Sequence, residues 1–489
     1  MITDDFEPHC KAVRRCRAID RRHAQASRYV GYSRAGLPGT ESVPDILDVW
    51  KDAQVTLVRS YDWVSRLDTV DNPKSLFPDW SADPSDPASY NFAATDTWVR
   101  QTRSLGADIL FTIASEIPFN KKPVADLEKY EQVVEHIVRH YVSGWGDGFE
   151  KAVTHWEFGD QPDFGTLHFS GTPDQFYQMY AAAARAVKRV DKDLKVGGPC
   201  VAFPLNEGPF REGFLDFIKD QSLPLDFLSW MWYGDNSRDP MDFRTVAAEV
   251  RKVADKHGFS DAELLLSYWS MTGIPTAKFE DADNAAFIAA GAIYMQDSEV
   301  DKAIFFRADT GADFHYNFTD PAGIFEDDGS QNARTGAFRF VGKTLATADR
   351  LAVTGGDENG FAVLAYRTEN RDAVRILISN YTIPAEYLTA RDRDVFEFQV
   401  PIGTHKEDMS LNVPPRRVDA KSAAYSGYEL EVSDLPWGDG PYQVARYRAD
   451  RDHHGELLGS EQGEGASVRI QGELPGSAVE FVEITPLAS

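Results

Sequence analysis

Strand-like and helix-like segments alternate through the first two thirds of the chain. Short apolar runs such as 54–59, 108–114 and 263–267 are followed by longer segments with apolar residues at helical spacing, such as 124–142 and 172–190. This alternation is typical of parallel α/β arrangements, in which a helix returns the chain to the start of the next strand. The number of repeats is close to the eight that close a (β/α)8 barrel.

The last third of the chain has a different pattern. Beyond about Leu351 the helical spacing fades, and short alternating runs such as 361–366 and 374–379 follow, separated by turn residues. This pattern is typical of an antiparallel sandwich. We therefore predict an α/β fold in which a (β/α)8 TIM barrel is followed by a C-terminal antiparallel β-sandwich domain. The expected boundaries are an N-terminal arm at 1–27, the barrel at 28–345 and the sandwich at 346–489.

The charge of the chain limits its partners. The sequence has 51 basic and 77 acidic residues, a formal net charge of −26, and its basic residues form only short runs such as Arg14-Arg15. A nucleic-acid partner requires clustered positive charge, so we expect none. No apolar run approaches the ~20 residues that span a bilayer, so we expect no membrane association.

The sequence also bears on secretion and on cofactors. The first residues lack a basic region followed by an apolar core, so no secretory signal is expected. Cys10, Cys16 and Cys200 are odd in number and lack metal-ligand spacing, which favours a reducing compartment, and the cytoplasm is the expected location. No His-Glu-x-x-His pattern occurs, and no Gly-rich phosphate loop follows a strand, so we expect neither a metal nor a cofactor.

The segment 154–163 carries a dense group of polar residues at a predicted strand end. It reads Thr-His-Trp-Glu-Phe-Gly-Asp-Gln-Pro-Asp and places Glu157, Asp160 and Gln161 close to Trp156. The catalytic residues of a (β/α)8 barrel come from the carboxyl ends of its strands. We therefore expect the functional site at this segment.

This segment resembles the Trp-Asn-Glu-Pro strand end of glycoside hydrolase family 39, the β-xylosidase and α-L-iduronidase family. The resemblance extends over roughly residues 28–385 and implies the barrel fold, a carbohydrate substrate and a glycosidase activity. Other matching segments, in chain order, are 30–35 (Val-Gly-x-x-Arg-Ala), 58–62 (Arg-Phe-His-Gly), 195–199 (Val-Gly-Gly-Pro), 225–233 (Asp-Phe-Ile-Ser-x-His-x-Tyr) and 376–381 (Asn-Tyr at its end).

The chain departs from the family pattern at functional positions. The general acid/base Glu of the family corresponds to Gln161, and the preceding Asn corresponds to Asp160. The nucleophile lies in Thr-Glu-Trp, where this chain has Tyr268, and two strand-end His residues correspond to Tyr61 and Met231. A retaining glycosidase needs two carboxyl groups ~5 Å apart. Gln161 and Tyr268 supply neither, so the family mechanism does not carry over unchanged.

Three functions follow, and the first is a hydrolase with relocated catalytic groups. Two of the acidic residues near predicted strand ends could act as acid and base, with a wider separation indicating inversion. Tyr268 could instead be the nucleophile, as in sialidases, with a neighbouring carboxylate taking its proton. The acidic candidates are Asp62, Glu116, Asp160, Asp235 and Asp309.

The second function is a lyase acting on uronic-acid sugars by β-elimination. This reaction needs a partner for the substrate carboxylate, a base for the C5 proton and an acid for the leaving oxygen. Gln161 could hydrogen-bond the carboxylate, and Arg59 or Arg307 could pair with it in a bidentate manner. Tyr268 could move the proton. Tyr61 and His168 are spare candidates for the same roles.

The third function is sugar binding without catalysis, in which Trp63, Trp230, Trp232 and Trp269 stack on pyranose faces. We take an enzyme that cleaves glycosidic bonds, a glycoside hydrolase, as the expected function, with an oligosaccharide or glycoside as substrate. The sequence leaves a homo-oligomer open. The expected catalytic residues are Gln161, Tyr268, Asp160 and Glu116. The expected substrate-binding residues are Arg59, Tyr61, Asp62, Glu157, His168, Trp230, Trp232, Tyr233, Trp269, Arg307 and Asp309.

Overall fold

The structure is a computed structural model. It describes residues 10–15, 29–31, 47–60, 65–113, 122–165, 168–234, 237–272, 279–306, 323–326, 330–346, 349–389 and 417–487. Among these residues, no helix combines the length and the apolar character needed to cross a bilayer.

Eight parallel strands close into a barrel. The first of them pairs with the second on one side and with the last on the other, and every neighbouring pair between them is parallel. The predicted (β/α)8 barrel is therefore confirmed. In chain order the strands are β2 (Tyr29–Gly31), β3 (Leu57–Arg59), β4 (Asp108–Ile113), β5 (His155–Phe158), β6 (Lys195–Val201), β7 (Phe227–Tyr233), β8 (Glu263–Ser270) and β9 (Lys302–Phe305).

Helices alternate with the barrel strands. Thr172 begins the fourth helix with a capping box, in which its side chain and that of Gln175 each accept the backbone N–H of the other residue. The order is α1 (Leu47–Asp52), α2 (Ala93–Ser104), α3 (Leu127–Val142), α4 (Pro173–Val190), α5 (Phe214–Asp220, preceded by a π-helical turn at Pro209–Gly213), α6 (Asp242–His257), α7 (Asp281–Met295) and α8 (Ala333–Leu345).

The C-terminal part forms a nine-stranded sheet folded over its own core. Strand β10 (Asp349–Gly355) pairs with β1 (Cys10–Arg15) along its length and with β11 (Phe361–Arg367) only at its start, so it joins two halves of the sheet. Residues such as Phe361, Ile376 and Leu430 pack between these halves, which is the arrangement of a sandwich. Its strands are β1 (Cys10–Arg15), β10 (Asp349–Gly355), β11 (Phe361–Arg367), β12 (Val374–Asn380), β13 (Gly427–Val432), β14 (Pro441–Ala449), β15 (His454–Glu464), β16 (Val468–Glu473) and β17 (Ala478–Pro486), with a short helix α9 (Ala385–Thr389) after β12.

Strand β1 corrects the expectation of an N-terminal arm. The sequence placed residues 1–27 outside both domains, whereas Cys10–Arg15 pairs antiparallel with β10 and meets β13 at Val13. Three of the six residues of β1 are basic, so the segment lacks the apolar alternation that marks a strand in sequence. The sandwich sheet therefore recruits a strand from the other end of the chain.

Helix α7 lies between the barrel and the sandwich. Nearly all of its side chains are buried, because it packs on α6 and α8 on the barrel side and on strands β11, β12 and β17 on the other. A helix that is apolar on every face is stable only when it is covered on every face. The hydroxyl of Ser379 on β12 also donates to the Ala286 carbonyl in α7 at 2.8 Å.

Candidate active site

The polar cluster at the carboxyl ends of the barrel strands is built around Arg59. This residue ends β3, and its guanidinium lies between Glu157 on β5 and Tyr268 on β8, with Asp160 in the loop after β5. Parallel strands of a barrel direct their carboxyl ends to one face, which brings together residues distant in sequence. The structure thus brings together four of the residues that the sequence selected.

Glu157 is fully buried and fully hydrogen-bonded. Its Oε2 atom accepts from Arg59 Nε at 2.6 Å and from the hydroxyl of Thr112 on β4 at 3.0 Å. Its Oε1 atom accepts from the hydroxyl of Ser267 at 2.7 Å, and no part of Glu157 is exposed. A buried carboxylate requires such donors to remain charged. Glu157 therefore holds Arg59 in place rather than reaching substrate.

Arg59 is a permanent cation in this site. Burial alone would lower its pKa, but the charges of Glu157, Tyr268, Cys200 and Asp160 raise the pKa of Arg59 well above its usual value. Only 1% of its surface is exposed. Each of its three nitrogens donates to a different side chain, Nε to Glu157, Nη1 to Tyr268 and Nη2 to Asp160. This guanidinium is therefore committed to groups of the protein.

The phenol of Tyr268 connects Arg59 to Asp160. Its hydroxyl accepts from Arg59 Nη1 and donates to Asp160 Oδ1 at 2.9 Å, and the same Oδ1 accepts from Arg59 Nη2 at 3.2 Å. The Tyr268 ring lies beneath the guanidinium at 4.3 Å from its centroid and meets Phe306 edge-on at 4.9 Å. These contacts fix the position of the phenol oxygen between a cation and a carboxylate.

An irregularity in β8 places two consecutive side chains on one face of the strand. The pairing of β8 with β7 matches Leu266 to Trp230 and Tyr268 to Met231, so Ser267 is an extra residue. A β-bulge of this kind breaks the alternation of side chains. Ser267 and Tyr268 therefore both reach the Arg59 cluster. Sequence reasoning did not select Ser267 or Thr112, and a hydroxyl residue in a buried strand carries no distinctive signal.

The loop after β5 is anchored to β6 and the residues that follow it. Asp163 accepts the backbone N–H groups of Ala202 and Phe203, each at 2.8 Å, and the N–H of Gln161 donates to the Cys200 carbonyl at 3.0 Å. Burial of the carboxyl raises the pKa of Asp163 to about 6, against the lowering effect of its backbone donors. Gln161 is partly buried with φ +53, and it remains a predicted catalytic position.

A narrow cavity adjoins Asp160 on the side of β4 and β5. Its volume of about 30 Å³ is enough for a water molecule, and its walls include Asp160, His168, Lys122 and Tyr130. His168 is buried at 5% exposure and packs edge-on against Phe164. The sequence proposed this residue as a substrate ligand, and the structure places it in the wall of this cavity.

Three of the four tryptophans expected to stack on sugar rings are buried in the barrel core. Trp230, Trp232 and Trp269 are each exposed by 2% or less and belong to the layer between the strands and the helices. Trp269 packs edge-on against Phe243 of α6 and Phe305 of β9. Because these rings pack between the strands and the helices, away from the Arg59 cluster, the stacking role is wrong for these three residues.

Several expected site residues lie outside the described part of the chain, and their predicted roles stay predictions. Tyr233, at the end of β7, is described and partly exposed, and its expected contact with substrate stays a prediction as well. In the described ranges, no three His, Cys, Asp or Glu residues are arranged to hold a metal ion. The expected residues without a description are Tyr61, Asp62, Trp63, Glu116, Asp235, Arg307 and Asp309.

Comparison with known proteins relates part of the chain to a family of glycoside hydrolases. Residues 109–285 match the model of glycosyl hydrolases family 39. A β-xylosidase of Caldicellulosiruptor saccharolyticus is 26% identical over 225 residues, which is 44% of this chain and 42% of that protein. The alignment thus spans less than half the length of that relative.

Solved structures match over nearly the whole chain. The crystal structure of a glucosidase from Croceicoccus marinus is 76% identical, covers 99% of this chain and 100% of its own, and superposes with a TM-score of 0.93. An enzyme of glycoside hydrolase family 39 from Xanthomonas axonopodis pv. citri is 14% identical, with coverage of 99% and 100% and a TM-score of 0.69. At that identity the second similarity concerns the fold alone.

Proposed function

We propose that this chain is an O-glycosyl hydrolase of glycoside hydrolase family 39 that cleaves glucosides with Tyr268 as its nucleophile. The glucoside substrate is proposed from the 76% identical protein of Croceicoccus marinus, which is described as a glucosidase. The nucleophile is proposed from the geometry of the Arg59 cluster.

The observation that carries the proposal is the position of the Tyr268 hydroxyl. It donates to Asp160 Oδ1 at 2.9 Å and accepts from Arg59. A phenol becomes a nucleophile when a neighbouring base takes its proton, and Asp160 lies within the required hydrogen-bond distance. The guanidinium of Arg59 stabilises the negative charge left on the phenol oxygen.

The proposed reaction has two steps. In the first, the hydroxyl proton of Tyr268 moves to Asp160, the phenol oxygen bonds to the anomeric carbon, and the glycosidic C–O bond breaks with its electron pair on the leaving oxygen. In the second, water attacks the anomeric carbon, the bond to Tyr268 breaks, and Asp160 returns the proton. Because Tyr268 is only 2% exposed, its hydroxyl has to become accessible when substrate binds.

The leaving oxygen needs a proton that Gln161 cannot supply, since an amide does not cycle a proton as a carboxyl group does. We assign this role to Glu116, which follows strand β4 in sequence. The same carboxyl group would accept a proton from the attacking water in the second step. A carboxyl group that alternates between acid and base is the general requirement of two-step glycoside hydrolysis.

Elimination from a uronic-acid sugar is the competing reaction, and the Arg59 cluster favours it less. That reaction requires a cation for the substrate carboxylate, whereas all three nitrogens of Arg59 are bonded to Glu157, Tyr268 and Asp160. Arg59 and Arg307 were the two cations considered for this role, and only Arg307 would remain. An unsaturated product with absorbance near 235 nm, formed from uronate oligosaccharides, would establish elimination.

Trapping of the intermediate tests the proposal. The protein is incubated with 2-deoxy-2-fluoroglucosides of both anomeric configurations that carry a good leaving group, digested, and analysed by mass spectrometry. The expected result is a fluoroglucosyl adduct on the peptide that contains Tyr268, and its absence from Tyr268→Phe. An adduct on a carboxylate such as Glu116 or Asp62 would overturn the assignment of Tyr268. Hydrolysis of xylosides without hydrolysis of glucosides would overturn the proposed substrate.

A further inference from the structure

A second cavity, of about 420 Å³, lies between helix α8 of the barrel and the sandwich. Its walls include Arg339 and Lys343 from α8, Arg375 from β12, Tyr447 from β14 and Glu483 from β17. Gln54, which precedes strand β3, also lines the cavity. Arg59 ends the same strand, so the cavity opens toward the amino ends of the barrel strands, away from the Arg59 cluster.

Two close helix contacts give this cavity rigid walls. A Cβ atom at Gly336 would lie 2.6 Å from the carbonyl oxygen of His454 on β15, and one at Gly342 would lie 1.8 Å from that of Ala53. Only glycine allows backbones to approach this closely. Helix α8 thus packs closely against the sandwich at Gly336 and against the turn after α1 at Gly342. The cavity lies beside this helix.

The charge of the cavity is opposite to that of the protein. Its walls bring together the cations Arg339, Lys343 and Arg375, and within the described ranges the carboxylates that pair with them are Asp52 and Glu483. The whole chain carries a formal charge of −26. A concave site with a local excess of cations concentrates anions even on an acidic protein.

Arg375 and Lys343 retain donors for a ligand. Arg375 donates through Nε to Glu483 at 2.8 Å and through Nη1 to the Lys343 carbonyl at 3.1 Å, whereas its Nη2 has no partner in the described part of the chain. Lys343 pairs with Asp52 at 3.0 Å, and an ammonium group has three donors. A guanidinium edge with an adjacent ammonium suits the oxygens of an oxyanion.

We propose that this cavity binds a small molecule through an oxyanion group, held by Arg375 and Lys343. The volume exceeds that of an inorganic anion and lies in the range of small-molecule sites. Tyr447 and Phe340, which both pack against Phe481, supply an aromatic wall for the remainder of the ligand. Phosphate, sulfate and carboxylate share the required chemistry, and the experiment distinguishes among them.

Calorimetric titration of the full-length protein with inorganic phosphate tests the proposal. Sulfate and acetate serve as separate arms, and sodium chloride keeps the ionic strength constant. We expect saturable binding of one anion per chain by at least one arm, with affinity at least tenfold weaker in Arg375→Gln and in Lys343→Gln. Arg350→Gln is the matched control, because Arg350 pairs bidentately with Asp297 outside the cavity.

The outcomes separate a built site from diffuse surface attraction. Non-saturable heats in all three arms, or equal affinity in Arg375→Gln, Lys343→Gln and Arg350→Gln, would overturn the proposal. Thermal unfolding checks that each variant is folded, and Lys343→Gln provides the test if Arg375→Gln is not. Hydrolysis of the glycoside substrate by both variants should stay within twofold of the parent, because the cavity lies away from the Arg59 cluster.

Discussion

The phenol of Tyr268 on β8 donates a hydrogen bond of 2.9 Å to the carboxylate of Asp160, which follows β5 on the facing side of the barrel. Arg59 contacts both groups. The sequence resemblance predicts that Tyr268 and Asp160 occupy the positions of the family 39 nucleophile and of the Asn that precedes the family's acid/base. On that prediction, the phenol that takes the place of a carboxylate contacts a carboxylate that takes the place of an amide.

Removal of the phenol oxygen should abolish turnover. In Tyr268→Phe the ring keeps its contacts with Arg59 and Phe306, so the fold is retained. We expect kcat/KM on an aryl glucoside to fall roughly 10³-fold or more. Tyr180→Phe is the control, because that hydroxyl donates to the Pro224 carbonyl outside the site and its loss costs about 1 kcal/mol of stability. Activity of Tyr268→Phe within tenfold of the parent would remove Tyr268 from the mechanism.

Arg59 should stabilise the fold through Glu157. Arg59→Met leaves a buried carboxylate without its cation, and the free energy of unfolding should fall by about 3–5 kcal/mol. Adding Glu157→Gln removes the uncompensated charge and should restore part of this loss. Urea denaturation of the two single variants and the double variant measures the coupling.

An exposed ion pair provides the comparison for this cycle. Arg185 is half exposed and pairs with Glu131 at 2.8 Å, so Arg185→Met should cost less than about 1 kcal/mol. If Arg59→Met lowers the free energy of unfolding no more than Arg185→Met does, the Arg59 cluster contributes no more to stability than a surface pair.

A methyl group at Gly342 should weaken the packing of helix α8 against the turn after α1. The added Cβ would lie 1.8 Å from the Ala53 carbonyl oxygen, and backbone atoms cannot move aside as a flexible side chain does. Gly342→Ala should therefore lower the free energy of unfolding by about 1–3 kcal/mol, although alanine alone favours a helix. Gly476→Ala, which has open space around its Cβ, should change stability by less than about 0.5 kcal/mol. Thermal unfolding of both variants gives the comparison.

The stability of the protein should depend on the protonation of Asp242. Burial and the charge of Asp239 raise the pKa of Asp242 to about 8, against the lowering effects of Ser237 and Arg417. The folded state therefore holds this proton between pH 4 and 8 while the unfolded chain releases it, so this contribution to stability falls as the pH rises through that window.

Asp242→Asn removes this ionisation and tests it. Asparagine retains an acceptor for the Ser237 hydroxyl, which donates to Asp242. We expect the variant to gain at least about 1 kcal/mol over the parent between pH 5 and pH 8.5, since each unit of pKa shift corresponds to about 1.4 kcal/mol. The measurement is the urea midpoint at both pH values. Parallel pH dependences of parent and variant would contradict the assignment.

Local patterns in the sequence were sufficient for the barrel and for most of the sandwich. The cap at Thr172, the apolar spacing of 127–142 and the alternation of 361–367 correspond to helix α4, helix α3 and strand β11. These signals depend on residues that are close in sequence. Strand β1 was not predicted, because its pairing with β10 connects positions more than 300 residues apart.

The candidate site was only partly predictable for a related reason. The segment around Asp160 and the position of Tyr268 were identifiable from motifs, whereas the direction of each side chain was not. Both faces of a barrel strand are buried, so sequence does not distinguish inward residues from outward ones. In the structure Trp269 faces the helices. The bulge at Ser267 directs Tyr268 inward, next to Ser267.

By itself the sequence determined the barrel and the sandwich, because local spacing expresses these directly, and its resemblance to family 39 predicted that both family carboxylates are replaced. The tertiary structure alone decided that Arg59 is shared by Glu157, Asp160 and Tyr268, and that three cations face one cavity beside α8. These relationships depend on strand register and on how helix α8 packs. Both are set by packing among distant segments, and no local pattern carries that information.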